Sequence, residues 1–211
     1  MEKKNKTKLY AGACLSAAFV LWTVLVRLVD VQAIGPDGSS VGFAALNGYV
    51  HALTGVHMAL YTITDWAGLV PIAVALGFAV LGLVQWVKRK RLLLVDRSIL
   101  ALGVFYVIVI AAYLFFEIVA INHRPVLING YLEASYPSST TLLVTCVMPT
   151  AMLQLRTRIK NRTVRRCVLL AIAVFIALMV IGRLLSGVHW ITDILGGALF
   201  RSGAVLFYAA V

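Results

Sequence analysis

Long apolar runs broken by short, strongly basic intervals dominate this sequence, and that alternation leaves few folds open. A stretch of about 20 apolar residues is what a helix needs to cross the hydrocarbon core of a bilayer. Inside that core every backbone N–H and C=O must be satisfied within the segment, which selects helices. Six stretches qualify, near residues 9–29, 57–87, 98–120, 139–155, 167–185 and 189–211. With 62% hydrophobic and 13% charged residues, a water-soluble domain of this size would leave much of its apolar surface outside. The expected fold class is therefore all-α, a six-transmembrane-helix bundle forming one integral membrane domain over residues 1–211. The second stretch is long enough to be tilted or to include an outer entry segment. The fourth is short and is expected to run a turn or two into its basic flank.

The charges orient the bundle. Of the 19 Lys and Arg residues, 15 lie at the N-terminus, at 88–97 or at 156–166. With six spans these three segments fall on one side, together with the C-terminus. Basic loops mark the cytoplasmic side, so both termini are expected there and segments 30–56, 121–138 and 186–188 face outward. The same distribution accounts for the formal net charge of +11 without a nucleic-acid partner. The basic, apolar N-terminus could be taken for a cleaved signal, but its apolar run is too long, and it reads as a retained first span. An inner cell membrane is the expected location. Cys14, Cys146 and Cys167 lack paired spacing and have too few histidines nearby for a metal set, so neither a metal nor another cofactor is expected.

Polar residues concentrate in three outer segments: Glu117 to Pro125, Tyr136 to Thr141, and Arg183 to Asp193. In the last, His189 and Asp193 are four apart at an expected helix start and so share a face. A carboxylate on one ring nitrogen fixes the tautomer and leaves the other nitrogen as a nucleophile or base. Arg183 and Arg124 offer planar forks suited to phosphate oxygens. Pro137 followed by Ser138, Ser139, Thr140 and Thr141 reads as a second helix start, rich in hydroxyls and anion-binding amides. Each feature has a plainer reading: a buried polar pair, a loop arginine, a helix cap. Their coincidence on one membrane face favours a phosphate cage with a nucleophile.

The set resembles the type 2 phosphatidic acid phosphatase (PAP2) superfamily, whose motifs read K-x6-R-P, P-S-G-H and S-R-x5-H-x3-D. Here they stand as Glu117-x6-Arg124-Pro125, Pro137-Ser138-Ser139-Thr140 and Gly182-Arg183-x5-His189-x3-Asp193. The resemblance implies a six-span bundle of PAP2 type and hydrolysis of a lipid phosphate or diphosphate at the outer face, without a metal. His189 would attack phosphorus to form a phosphohistidine, with Asp193 orienting it. Arg124, Arg183 and Ser138 would hold the phosphoryl oxygens, and Ser139 would offer its amide. The family's phosphate-binding Lys is replaced by Glu117 and its second His by Thr140. A Thr hydroxyl cannot protonate a leaving group at neutral pH. Thr140, Glu117 and His123 stand as the candidates for proton donor or modulator, Glu117 also as an ion-pair partner of Arg124 or Arg183. Such a site suits a substrate whose leaving group needs little help, such as undecaprenyl diphosphate. Two other readings stay open: a non-catalytic relative that binds or moves phospholipid, and a lipid phosphotransferase.

Overall fold

The structure is a computed structural model describing residues 2–210, with side chains from residue 5 onward. Eight α-helices follow in order: α1 Glu2–Leu28, α2 Ala44–Thr54, α3 Met58–Ala67, α4 Leu69–Arg89, α5 Arg97–Ile118, α6 Ser139–Arg158, α7 Arg162–Leu185 and α8 Ile191–Tyr208. The described residues contain no β-strand, only isolated bridges in the loops. The last expected span ended at residue 211, and Val211 lies outside the described residues.

Among the described residues, five segments are long and apolar enough to cross a membrane: α1 from Asn5, α3 with α4, α5, α7 and α8. The chain is a multi-pass membrane protein. The second expected span is divided at Gly68, so that α3 forms a short piece stacked on α4. The fifth begins at Arg162, ahead of the expected 167, because the Asn161 side chain accepts from the amides of Thr163 and Val164 and caps the helix.

The helix α6 is long enough to span, yet it carries Thr140, Thr141, Thr145, Thr150 and Gln154. Its position explains this composition. It packs against α4, α5, α7 and α8, and 11 of its 20 residues are buried. A helix screened from lipid by its neighbours has no need of an apolar surface, and its hydroxyls find partners inside. Thr145 donates to the Thr141 carbonyl, Thr150 to that of Cys146, and Tyr106 Oη lies 3.3 Å from Thr150 Oγ1. At its basic end α6 is tied to α4 and α5 through Asp96, which accepts from Gln85, Arg89 and Arg158 at 2.9–3.3 Å. The Gln85 bond, then Arg89, holds that carboxyl below its usual range. Along the other side α1 lies closely on α8, where Gly12 meets the Gly203 backbone.

Candidate active site

The site is built where the loop after α5 meets the turn between α7 and α8. The α5 helix stops at Ile118, short of Pro125, and residues 121–136 fold back as a narrow hairpin. Asn129 and Gly130 form its tip, both with positive φ (51° and 83°), and Ile128 and Tyr131 exchange backbone hydrogen bonds across it. Asn-Gly suits a two-residue turn of this hand because both residues tolerate the left-handed region. Further down, the Arg124 amide donates to the Glu133 carbonyl and the Ser135 amide to the Asn122 carbonyl. The register thus sets Asn122 and Arg124 on one strand beside Ser135 on the other. Trp190 Nε1 donates to the His123 carbonyl at 2.7 Å and fastens the hairpin to the α7–α8 turn. That turn needs Gly187: its φ is +67°, and a Cβ there would lie 1.8 Å from the Gly55 carbonyl oxygen.

His189 is buried two residues ahead of α8. Its Nδ1 lies 3.8 Å from Asp193 Oδ2, beyond hydrogen-bonding range, whereas the Ser135 hydroxyl lies between them. Ser135 Oγ donates to Asp193 Oδ2 and is 3.1 Å from His189 Nδ1. A hydroxyl has one hydrogen, so Ser135 can only accept from the imidazole. This fixes the tautomer with Nδ1–H bonded to Ser135 and the Nε2 lone pair accepting from Arg124 Nη1 at 3.3 Å. Asp193 is fully enclosed and also accepts from the Trp190 amide at 2.9 Å and from Asn122 Nδ2 at 3.4 Å. Burial, reinforced by the Arg124 and Arg183 guanidiniums, holds the imidazole well below the ordinary histidine range, so the ring is neutral.

The second arginine is engaged elsewhere. Arg183 Nη2 donates to Thr140 Oγ1 at 2.6 Å and to Asp65 Oδ1 at 3.2 Å. Its Nη1 reaches Thr64 Oγ1 and the Tyr61 carbonyl at 3.4–3.5 Å. The Tyr61 ring faces both cations, 4.9 Å from Arg183 and 5.9 Å from Arg124. Four buried polar atoms in this cluster and the adjoining first turn of α6 have no hydrogen-bond partner among the described residues: Arg124 Nε, Arg183 Nε, Ser138 Oγ and Thr141 Oγ1. An apolar groove of about 570 Å³ between α4 and α5, lined by Gly82, Trp86 and Gly103 among others, lies apart from this cluster.

Several expectations from the sequence need correction. His189 and Asp193 do not share a helical face, because α8 starts only at Ile191; Ser135 and the capping of the Trp190 amide bring them together. Glu117 is exposed and is not the partner of either arginine. Arg124 Nε instead lies 3.0 Å from Glu133 Oε2, off the hydrogen-bonding direction, and Arg183 pairs with Asp65. His123 sits at an isolated bridge of the hairpin between buried Asn122 and Arg124 and is itself only half-buried, and its side chain makes no hydrogen bond to His189 among the described residues. Ser139 and Thr140 open α6 beside Ser138. Ser135, Asn122, Glu133, Tyr61, Thr64 and Asp65 went unnoticed as site residues. The Asn129-Gly130 pair was the signal for the first three, since it predicts the hairpin that carries them.

The sequence profile of the PAP2 superfamily matches residues 50–210. The chain belongs to the PAP2 superfamily. The match takes in α3, the hairpin and α6 to α8, and so the whole of the cluster just described. The fold is similar to that of the first transmembrane PAP2 type phosphatidylglycerolphosphate phosphatase from Bacillus subtilis, whose crystal structure superposes with a TM-score of 0.54. That alignment covers 95% of this PAP2 chain and 94% of the other, at 20% sequence identity. No curated relative matches this chain.

Proposed function

We propose that this PAP2 protein hydrolyses a lipid phosphate or diphosphate through a phosphohistidine on His189. The observation that carries the reading is the neutral, buried imidazole, with Nδ1 anchored through Ser135 to Asp193 and Nε2 presented beside Arg124. His189 Nε2 attacks phosphorus, and the bond to the lipid oxygen breaks with its electron pair. Positive charge arising on the ring is passed toward Asp193 through the Ser135 hydroxyl. As phosphate enters, Arg124 moves its Nη1 bond from the imidazole to a phosphoryl oxygen. Ser138, Arg183 Nε and the Ser139 amide at the start of α6 supply the remaining donors. The unpartnered Ser138 Oγ and Arg183 Nε support an anionic ligand at this point. Water then releases phosphate from His189. None of these steps calls on a metal.

Thr140 cannot deliver a proton to an alkoxide, which favours a prenyl diphosphate of the undecaprenyl type, whose leaving phosphate is a weak base. The distribution of basic residues supports cytoplasmic termini, one membrane domain and a site in the outer leaflet of a cell membrane.

One observation favours a second reading. Arg183 is bonded to Thr140, Asp65, Thr64 and Tyr61, as in a site that binds a headgroup without turning it over. Phosphate release by the purified protein, measured over a panel of phosphatidate, phosphatidylglycerol phosphate and prenyl diphosphates, separates the two. Turnover should fall by more than about 10⁴-fold in His189→Ala, as when a nucleophile is removed. Saturable lipid binding without release in the wild type would establish the binding protein instead.

A further inference from the structure

We infer that Asp65 is the general base of the second half-reaction, taking the proton of the water that frees phosphate from His189. The assignment rests on the phosphatase reading above.

Few groups at the site can serve as that base. Asp193 is enclosed and already accepts three hydrogen bonds. Two other carboxylates flank the site, each beside one arginine. Glu133 meets Arg124 at Nε, away from the Nη1 that reaches His189. Asp65 meets Arg183 at Nη2, the same nitrogen that holds Thr140 in the first turn of α6. Tyr61 stands one helical turn before Asp65 on α3, with its ring over both guanidiniums, so this side of α3 walls the site.

A plainer role would be that of counter-ion to a buried arginine. Such a counter-ion is ordinarily enclosed with its partner and uses both oxygens. Here Asp65 has 54% of its side-chain surface exposed while that of Arg183 has 1%. Only Oδ1 is engaged, and Oδ2 makes no hydrogen bond among the described residues. A carboxylate fixed at one oxygen, free at the other and left about half uncovered by protein has the layout of a base that must receive a proton and then shed it.

The step balances. The water oxygen forms a bond to phosphorus, and the bond from phosphorus to His189 Nε2 breaks, its electron pair returning to the ring. The water proton passes to Asp65 Oδ2 and then to solvent. The first half-reaction needs no base at this position, because a neutral His189 has no proton on Nε2 to lose.

The test uses the full-length protein in detergent and a short prenyl diphosphate radiolabelled in its terminal phosphate. In Asp65→Asn, which keeps an acceptor for Arg183, a first turnover at the wild-type rate should be followed by stalled, acid-labile label on His189. Steady-state turnover should fall by about 10²–10⁴-fold, the range of a lost general base. Asp65→Glu should restore part of the rate and clear the label. Turnover near wild type in Asp65→Asn would overturn the assignment. Equal loss of labelling and turnover would also overturn it, by reducing Asp65 to a support for Arg183. Should the wild type neither label nor turn over, the phosphatase reading itself falls and takes this base with it. A wild type that turns over alongside an unstalled Asp65→Asn removes the base alone.

Discussion

Arg124 and Arg183 stand close to one tyrosine ring, yet the protein holds them in contrasting ways. Arg124 comes from a loop hairpin, has Glu133 at its outer edge, and aims Nη1 at the imidazole. Arg183 comes from the last turn of α7, and both of its terminal nitrogens are taken by α3 and by Thr140. Around Arg124 every part of a nucleophile is present: tautomer, anchor and neutral ring. Around Arg183, where proton delivery to a leaving group would be wanted, stand two hydroxyls and a carboxylate. The half that attacks phosphorus is complete, and the half that would help a poor leaving group depart is not. On the proposed mechanism such a site would favour a displacement whose difficulty lies in the attack over one whose difficulty lies in the departure.

The contrast can be broken from either side. The larger effect is expected at Ser135. Ser135→Ala removes the hydroxyl that joins His189 to Asp193 and should lower kcat by about 10–100-fold, the range seen when the orienting partner of a metal-bound histidine is removed. KM should change little, since Ser135 faces the ring and not the phosphate pocket. An unchanged kcat would mean that His189 and Asp193 close their 3.8 Å gap unaided. Arg183→Lys comes next. An ammonium cannot serve Asp65, Thr140 and Thr64 while offering Nε to a ligand. Each charged hydrogen bond lost is worth about 1.5–3 kcal/mol, so KM should rise about tenfold or more with kcat less affected. A variant with wild-type KM would confine Arg183 to packing. The smallest effect is on pH. The pKa of His189 is depressed, so the ring stays unprotonated as pH falls through the ordinary histidine range. The acid limb of kcat/KM should therefore lie below about pH 6.5, measured with a substrate that does not itself titrate there. A limb at or above that value would mean that water reaches the imidazole freely.

How far the sequence disclosed this arrangement depended on the kind of signal. Spans exposed to lipid were legible because the bilayer demands an uninterrupted apolar run, as in α5 and α7. Segment 139–155 gave a weaker signal, since the α6 helix faces other helices and keeps its threonines. Arg183, His189 and Asp193 were visible because their spacing matches a known pattern. Their mode of contact was not visible, because Ser135 enters from a hairpin more than fifty residues away, and no local periodicity reports that meeting. Asn129-Gly130 is a sequence signal from which the hairpin could have been read. Asp65 stands out as an acidic residue inside an apolar stretch but could not be placed from the sequence, since its partner becomes visible only when α3 is set beside α7. Glu117 was over-read: its place in a motif suggested a partner, and the hairpin supplies Glu133 to Arg124 in its stead.

The comparison between the two halves comes down to leaving-group dependence, which a single assay reads directly. Purified wild-type protein would be given phosphatidate and a prenyl diphosphate of similar chain length, in the same detergent, and kcat/KM compared. A Thr140→His variant would be measured alongside, after its folding has been checked, because His overfills the space of Thr at a tight helix start. The account predicts that the diphosphate is cleaved faster by the wild type. It further predicts that Thr140→His narrows the gap by speeding phosphatidate most, up to the about 10²–10⁴-fold that a general acid contributes. Equal rates on the two lipids in the wild type would contradict it, and would mean that another group on this face already protonates the leaving oxygen.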